Sequence, residues 1–173
     1  MRWFWIDRFI EFRRGRRAQA IKNITLVEEA VDDYLPGYPV YPNTLIIEGM
    51  AQAGGLLVAE MHGYEKKVVL GKVTKAEFFE PVRPGDQLRY TVVIERWGAE
   101  GASVSCTSHC GDQLQAEVEL FFAFLDDRFG DQELIPPHDL LTMCRLLRLY
   151  EVAQDDEGRP LPIARRLAES EAG

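Results

Sequence analysis

The chain has 173 residues, 46% of them hydrophobic, and a formal charge of −8, which suits one domain of ordinary size with a real core. No apolar run reaches the length of a membrane span, and the amino terminus lacks the apolar stretch of a signal peptide, so neither a membrane nor a secreted protein is expected. Three cysteines are an odd number with no dense disulfide framework, and a reducing cytoplasm is the simplest compartment.

The charge is unevenly spread. From Met1 to Thr25 seven basic residues face Asp7 and Glu11, a balance of +5 that leaves −13 for the rest. Such an acidic body argues against general nucleic-acid binding. The cluster Arg13, Arg14, Arg16 and Arg17 reads either as a solvated hairpin tip or as a docking point for an acidic partner.

In chain order, Ile6 to Phe12 and Arg17 to Ile24 read as two strands joined by a turn at Arg14-Gly15. Three prolines then keep the chain out of regular structure until Asn43, a favourable N-cap, after which a helix runs to Met61 or His62. That helix is apolar on nearly every side and is therefore expected to be buried. One carboxylate, Glu48, stands alone in this otherwise apolar, small-residue helix. A carboxylate so placed must be neutral, paired or in use.

Four strands follow, about Val68 to Phe79, Gln87 to Trp97, Ala102 to His109 and Leu114 to Phe124, with short glycine-marked turns that imply an antiparallel meander. The pattern predicts an α+β fold in which a sheet wraps one long helix, the helix's remaining face being covered by a subunit interface. The main domain spans residues 1–128. Residues 129–173 form an extension with a helix at about 137–152, whose stripe of Leu140, Leu141, Cys144, Leu147 and Tyr150 packs against the main domain. A weakly ordered stretch is expected from Pro160 to Gly173. Cys106, His109 and Cys110 lack a fourth ligand, and no metal site is expected.

The segment Leu35-Pro36-Gly37-Tyr38-Pro39-Val40-Tyr41-Pro42, followed by Leu45-Ile46-Ile47-Glu48-Gly49-Met50-Ala51-Gln52-Ala53, closely resembles the signature of 3-hydroxyacyl-acyl-carrier-protein dehydratases. Phe79 to Gln87 and Lys22 to Thr25 resemble further parts of that family, and the likeness covers about Ile6 to Leu125. It implies a hotdog fold, a homodimer or higher oligomer, and elimination of water from a 3-hydroxyacyl thioester carried on phosphopantetheine, with no other cofactor. Acyl carrier protein or acyl-CoA is the implied partner, with Arg13, Arg14, Arg16 and Arg17 as the carrier-docking candidates.

The resemblance implies that a histidine and a glutamate from different subunits share the proton work. The glutamate maps to Glu48 and the helix glutamine to Gln52, one turn on and so on the same face. The histidine maps to Tyr34, which at an ordinary pKa of about 10 donates a proton or hydrogen bond and is a poor base. Gly37, Asn43 and Thr44 are expected to line the substrate site, with Asn43 standing where the family usually has glycine. His62, roughly 21 Å from Glu48 by helical rise, cannot substitute within one subunit. A hotdog thioesterase with Glu48 activating water, and a catalytically impaired carrier-binding subunit that pairs with a histidine-bearing paralogue, are the two alternatives.

Overall fold

The computed structural model describes residues 4–35, 37–125 and 133–170, with the side chains of residues 32–34 outside that description. Strands β1 (Arg8–Arg13) and β2 (Arg17–Asn23) form a hairpin. Helix α1 (Glu29–Tyr34) and the long helix α2 (Asn43–Met61) follow. Then come β3 (Lys67–Phe78), β4 (Gln87–Trp97), β5 (Gly101–Cys110) and β6 (Gln113–Leu125). These strands join one sheet in the order β3-β6-β5-β4-β2-β1-β7, where β7 (Ala153–Gln154) comes from the carboxy-terminal extension. All neighbours are antiparallel except β1 and β7.

Period-two burial builds the face that receives α2. Leu88, Tyr90 and Val92 of β4 point inward, as do Ala102, Val104 and Cys106 of β5 and Val118, Leu120 and Phe122 of β6. From α2, Ile46, Met50, Ala53 and Leu57 are fully buried against them, at the spacing of one helical face. Close approach depends on glycine at two points. A Cβ on Gly49 would lie 2.7 Å from the Tyr90 ring and from the Trp5 carbonyl oxygen, and one on Gly54 would lie 3.0 Å from Phe122. At these places the helix backbone itself rests on its neighbours.

Several sequence expectations change here. Asn43 is the first helical residue and Pro42 occupies the N-cap, with no side-chain capping bond. The fixed φ of proline suits this boundary, and the Pro42 carbonyl accepts from the N–H groups of Leu45 and Ile46. Helix α1 lies ahead of the proline stretch, in a segment to which the sequence reading assigned no element. Its N-cap residue is Glu28, whose Oε1 accepts from the Thr25 N–H at 3.0 Å in the turn before the helix.

The four strands do not form a simple meander, because β3 pairs with β6 at the sheet edge rather than with β4. The link over residues 79–86 contains Pro81 and Pro84 and is no tight turn. It crosses from the edge to mid-sheet, held where the Tyr41 N–H donates to the Val82 carbonyl and the Gly85 N–H to that of Ile24.

The extension is more ordered than its sequence suggested. The single helix expected over 137–152 is two, α3 (Pro137–Leu146) and α4 (Leu149–Val152), divided at Arg148, whose φ of 56° is left-handed. The break lets the consecutive neighbours of Arg148, Leu147 and Leu149, both enter the core, while the Leu147 carbonyl accepts from the Phe9 N–H. The stripe packs on the main domain as expected, with Leu141 and Cys144 buried. Residues 160–170 are not loosely attached: α5 (Arg165–Glu169) forms, and Leu161 and Leu167 are buried. By pairing β7 with β1, the extension covers one edge of the sheet. The opposite edge, β3, pairs on one side only and exposes Leu70 and Val73.

Candidate functional site

Glu48 sits one turn and a half into α2, half-buried, on the helix stripe that faces away from the deepest core. Gln52 follows one turn later, and its Nε2 donates to Glu48 Oε1 at 3.4 Å. The amide is itself oriented, because the Trp5 backbone N–H donates to Gln52 Oε1 at 2.9 Å. With its oxygen engaged by Trp5, the amide turns its NH2 end toward the carboxylate. Gly49 makes this possible, since only the missing Cβ lets the Trp5 main chain lie against the helix.

Burial raises the pKa of Glu48 above the ordinary carboxylate value, and the Gln52 hydrogen bond partly opposes that rise. A carboxyl group moved toward neutrality is better suited to proton transfer in either direction. Both residues line a cavity of about 470 Å³. Its helix wall continues along α2 through Ala51, Gly55, Leu56 and Ala59, one face at successive turns. Val68 and Leu70 of β3 and Phe122 of β6 form a second wall. Volume and lining suit a small-molecule site that is mostly apolar with a few convergent polar groups.

Gly37, Asn43 and Thr44 do not line this cavity. They are exposed, Gly37 in the approach with φ of 80° and the other two in the first turn of α2. Tyr34 ends α1, and its side chain lies outside the described residues. No histidine lines the cavity among the described residues. His62, at the far end of α2, is wedged edge-on against Phe124 and Trp97, and burial lowers its pKa. Among the described residues, no group of three or more histidine, cysteine or acidic side chains is arranged to hold a metal ion.

The four arginines of the β1–β2 hairpin gather near the other end of α2, and each meets an acid of the same chain. Arg13 and Arg17 share Glu11, Arg16 meets Asp156 at 2.9 Å, and Arg14 meets Glu60 at 3.2 Å. Glu60 is the residue that the sequence reading missed. Glu48 does not stand alone on its helix: Glu60 is only 2% exposed, and burial pushes its pKa up to about 7 against the pull of Arg14. The available signal was a second acid inside the same apolar run, twelve residues on from Glu48.

Comparison with known proteins bears directly on this arrangement. A family model described as a FabA-like domain matches residues 3–116. A 3-hydroxyacyl-[acyl-carrier-protein] dehydratase from Koribacter versatilis is 43% identical over 115 residues, covering 65% of this chain and 74% of the relative. One of the same name from Desulforamulus reducens is 40% identical over 120 residues, covering 68% and 84% respectively. Among solved structures, smu.793 of Streptococcus mutans bound to acetyl CoA superposes with a TM-score of 0.59 at 14% identity, over 72% of this chain and 93% of that one. AziG of S. sahachiroi superposes with a TM-score of 0.58 at 18% identity, over 68% and 90%. The sheet wrapped on a single long helix is the hotdog fold, as expected. No helix among the described residues is long and apolar enough to cross a membrane.

Proposed function

The chain belongs to the 3-hydroxyacyl-acyl-carrier-protein dehydratase family, and from that membership we propose that it dehydrates 3-hydroxyacyl thioesters carried on phosphopantetheine, with Glu48 performing proton transfer. The observation that carries this reading is the Glu48 carboxylate itself, half-buried beside an apolar cavity, raised in pKa, and held by an amide whose orientation is fixed from behind.

In the reaction the C2–H and C3–O bonds break, a C2=C3 double bond forms, and water leaves. Ionised Glu48 takes the C2 proton, and the negative charge that develops on the thioester oxygen needs donors. The first turn of α2, at Asn43 and Thr44, lies outside the cavity wall of one subunit. Its exposed backbone N–H groups sit about one turn from Glu48, at the positive end of the helix dipole, and are the donors assigned to the thioester oxygen. Tyr34 completes the site from a second subunit, donating to the C3 hydroxyl the proton with which it leaves as water. Pairing of two copies through the open β3 edge would join their sheets. The contrast between that exposed edge and the edge covered by β7 supports this geometry. Docking of the carrier protein at the arginine turn belongs to the same proposal.

The test is turnover of a 3-hydroxyacyl thioester by purified protein of known mass, with wild type beside Glu48→Gln and Tyr34→His. Formation of the enoyl product, lost with glutamine and increased with histidine, is the expected result. Release of free thiol instead would make the protein a thioesterase. No turnover from a correctly folded dimer, with activity restored by a histidine-bearing paralogue, would make it a carrier-binding subunit.

A further inference from the structure

The third wall of the Glu48 cavity comes from outside the family match. Leu134, Ile135, Pro137, Leu140 and Met143 belong to the carboxy-terminal extension, and all line the cavity. The FabA-like match ends at residue 116. We propose that this extension is a chain-length gauge: it roofs the cavity that runs from Glu48 along α2 and closes its far end, so that its side chains set how long an acyl chain the protein accepts. The proposal rests on reading the cavity as the acyl-thioester site.

The shape of the cavity argues for an extended apolar occupant. Its helix wall steps from Glu48 through Ala51 and Gly55 to Ala59, small residues that leave room for a slender chain. Glu48 and Ala59 are eleven residues apart, about 16 Å at 1.5 Å per residue. An extended chain advances roughly 1.1–1.2 Å per bond, so the channel takes about 14 bonds. A thioester held at Glu48 therefore projects a medium-to-long acyl chain under Leu140 and Met143. The roof is apolar where such a chain would lie.

The far end is built as a stop. Tyr64 has a left-handed backbone, φ 61°, immediately after left-handed Gly63, and this throws its ring into the core at 3% exposure. A tyrosine in that conformation costs on the order of 1–2 kcal/mol, so neighbouring contacts must hold it. The extension supplies them. The Tyr64 hydroxyl lies 3.6 Å from Cys144 Sγ of α3. Arg166 of α5 donates to the Tyr64 carbonyl oxygen at 2.9 Å and to Glu133 Oε1 at 2.9 Å. Tyr64, Glu133 and Arg166 all line the cavity. The extension is thus pinned at the point where a long chain would have to emerge.

The test measures binding rather than turnover. Calorimetry would follow 3-hydroxybutyryl, 3-hydroxyoctanoyl, 3-hydroxydodecanoyl and 3-hydroxyhexadecanoyl pantetheine on a Glu48→Gln background, which suppresses reaction. Met143→Trp fills the roof and Ala59→Leu fills the same channel from the helix, so a folding failure in one leaves the other. Both should weaken dodecanoyl binding by at least about tenfold while leaving butyryl binding within about twofold. An equal loss for every chain length would mean that the pantetheine arm occupies the channel, and would overturn the proposal. So would an unchanged ladder, or a change in oligomeric mass showing that a second copy covers the groove. A length-dependent ladder without dehydration by wild type would remove the proposed activity and keep the gauge. Dehydration by wild type that is indifferent to chain length would do the reverse.

Discussion

Glu48 and Glu60 occupy the same apolar helix, and the structure treats them in opposite ways. Glu60 is the more buried and has its pKa raised to about 7, yet it faces an arginine and the packed extension. Glu48 is only half-buried, is held by the Gln52 amide, and opens on a cavity large enough for a substrate. Burial and pKa alone would favour Glu60 over the carboxylate proposed to act. Both carboxylates line a cavity, of about 470 Å³ for Glu48 and about 360 Å³ for Glu60. What separates them is that Glu60 meets the Arg14 guanidinium at 3.2 Å, whereas the walls beside Glu48 are mostly apolar. A charge paired within the fold has its protonation set by folding, whereas one aimed at a cavity remains available to a ligand.

The largest effect that would break this contrast is on turnover. Glu48→Gln is expected to lower the dehydration rate by about 10²–10⁴, with little change in thermal stability because the amide keeps the shape. Glu60→Gln is expected to leave the rate within a few-fold and to alter stability instead. The folded protein holds a proton on Glu60 up to about pH 7, whereas the ordinary value is 4.5. Between those values the folded state binds more protons than the unfolded one, so stability falls as pH rises through that window. At about 1.4 kcal/mol per pH unit the loss reaches at most about 3 kcal/mol. Glutamine removes that dependence without stranding a buried cation, since Arg14 is 45% exposed. The expected outcome is a variant melting above wild type at pH 8 and level with it at pH 4. Equal pH dependence in the two proteins, or a rate loss matching that of Glu48→Gln, would erase the distinction.

A smaller effect concerns how Glu48 is held. Its hydrogen bond to Gln52 lowers a pKa that burial raises, so Gln52→Leu should move the acid limb of the pH–rate profile to higher pH. Gly49→Ala should do the same more weakly, by pushing the Trp5 main chain off the helix and freeing the Gln52 amide to rotate. Its own packing penalty is on the order of 1–3 kcal/mol. A profile unchanged in both variants would show that the amide does not tune the carboxylate.

The sequence carries the local half of this picture well and the long-range half poorly. Helix α2, the strand positions and the Glu48–Gln52 spacing all follow from periodicity and helix geometry, which are properties of neighbouring residues. The pairing of β3 with β6 does not, because the proline-containing link over 79–86 reads as a turn until the Tyr41–Val82 and Ile24–Gly85 bonds show where it is held. The Trp5–Gln52 bond spans 47 residues and was equally invisible. Glu60 was legible as an acid in an apolar helix, but its partner sits in a distant hairpin. The extension's α3–α4 break depends on a carbonyl captured by Phe9, a contact that no local propensity encodes.

The smallest effect is expected at the arginine turn. Four arginines suggest a strong anionic docking point, but their charges are largely spent within the chain. Arg14 is paired with Glu60 and Arg16 with Asp156, while Arg13 and Arg17 divide Glu11 between them. Reversing Arg14 would place a second acid against the buried Glu60 carboxylate and confuse docking with unfolding. Arg13→Glu combined with Arg16→Glu avoids that, because neither side chain pairs with Glu60 and their acids, Glu11 and Asp156, are not fully buried. Exposed pairs of this kind are worth about 0–1 kcal/mol and are screened beyond roughly 10 Å at 0.1 M salt. Affinity for an acidic carrier protein should therefore fall only two- to threefold, on the order of 0.5 kcal/mol, at low salt and not at all at high salt. A loss of tenfold or more would mean that the carrier displaces Glu11 and Asp156 to reach the arginines directly. No loss at low salt would place carrier docking elsewhere on the molecule.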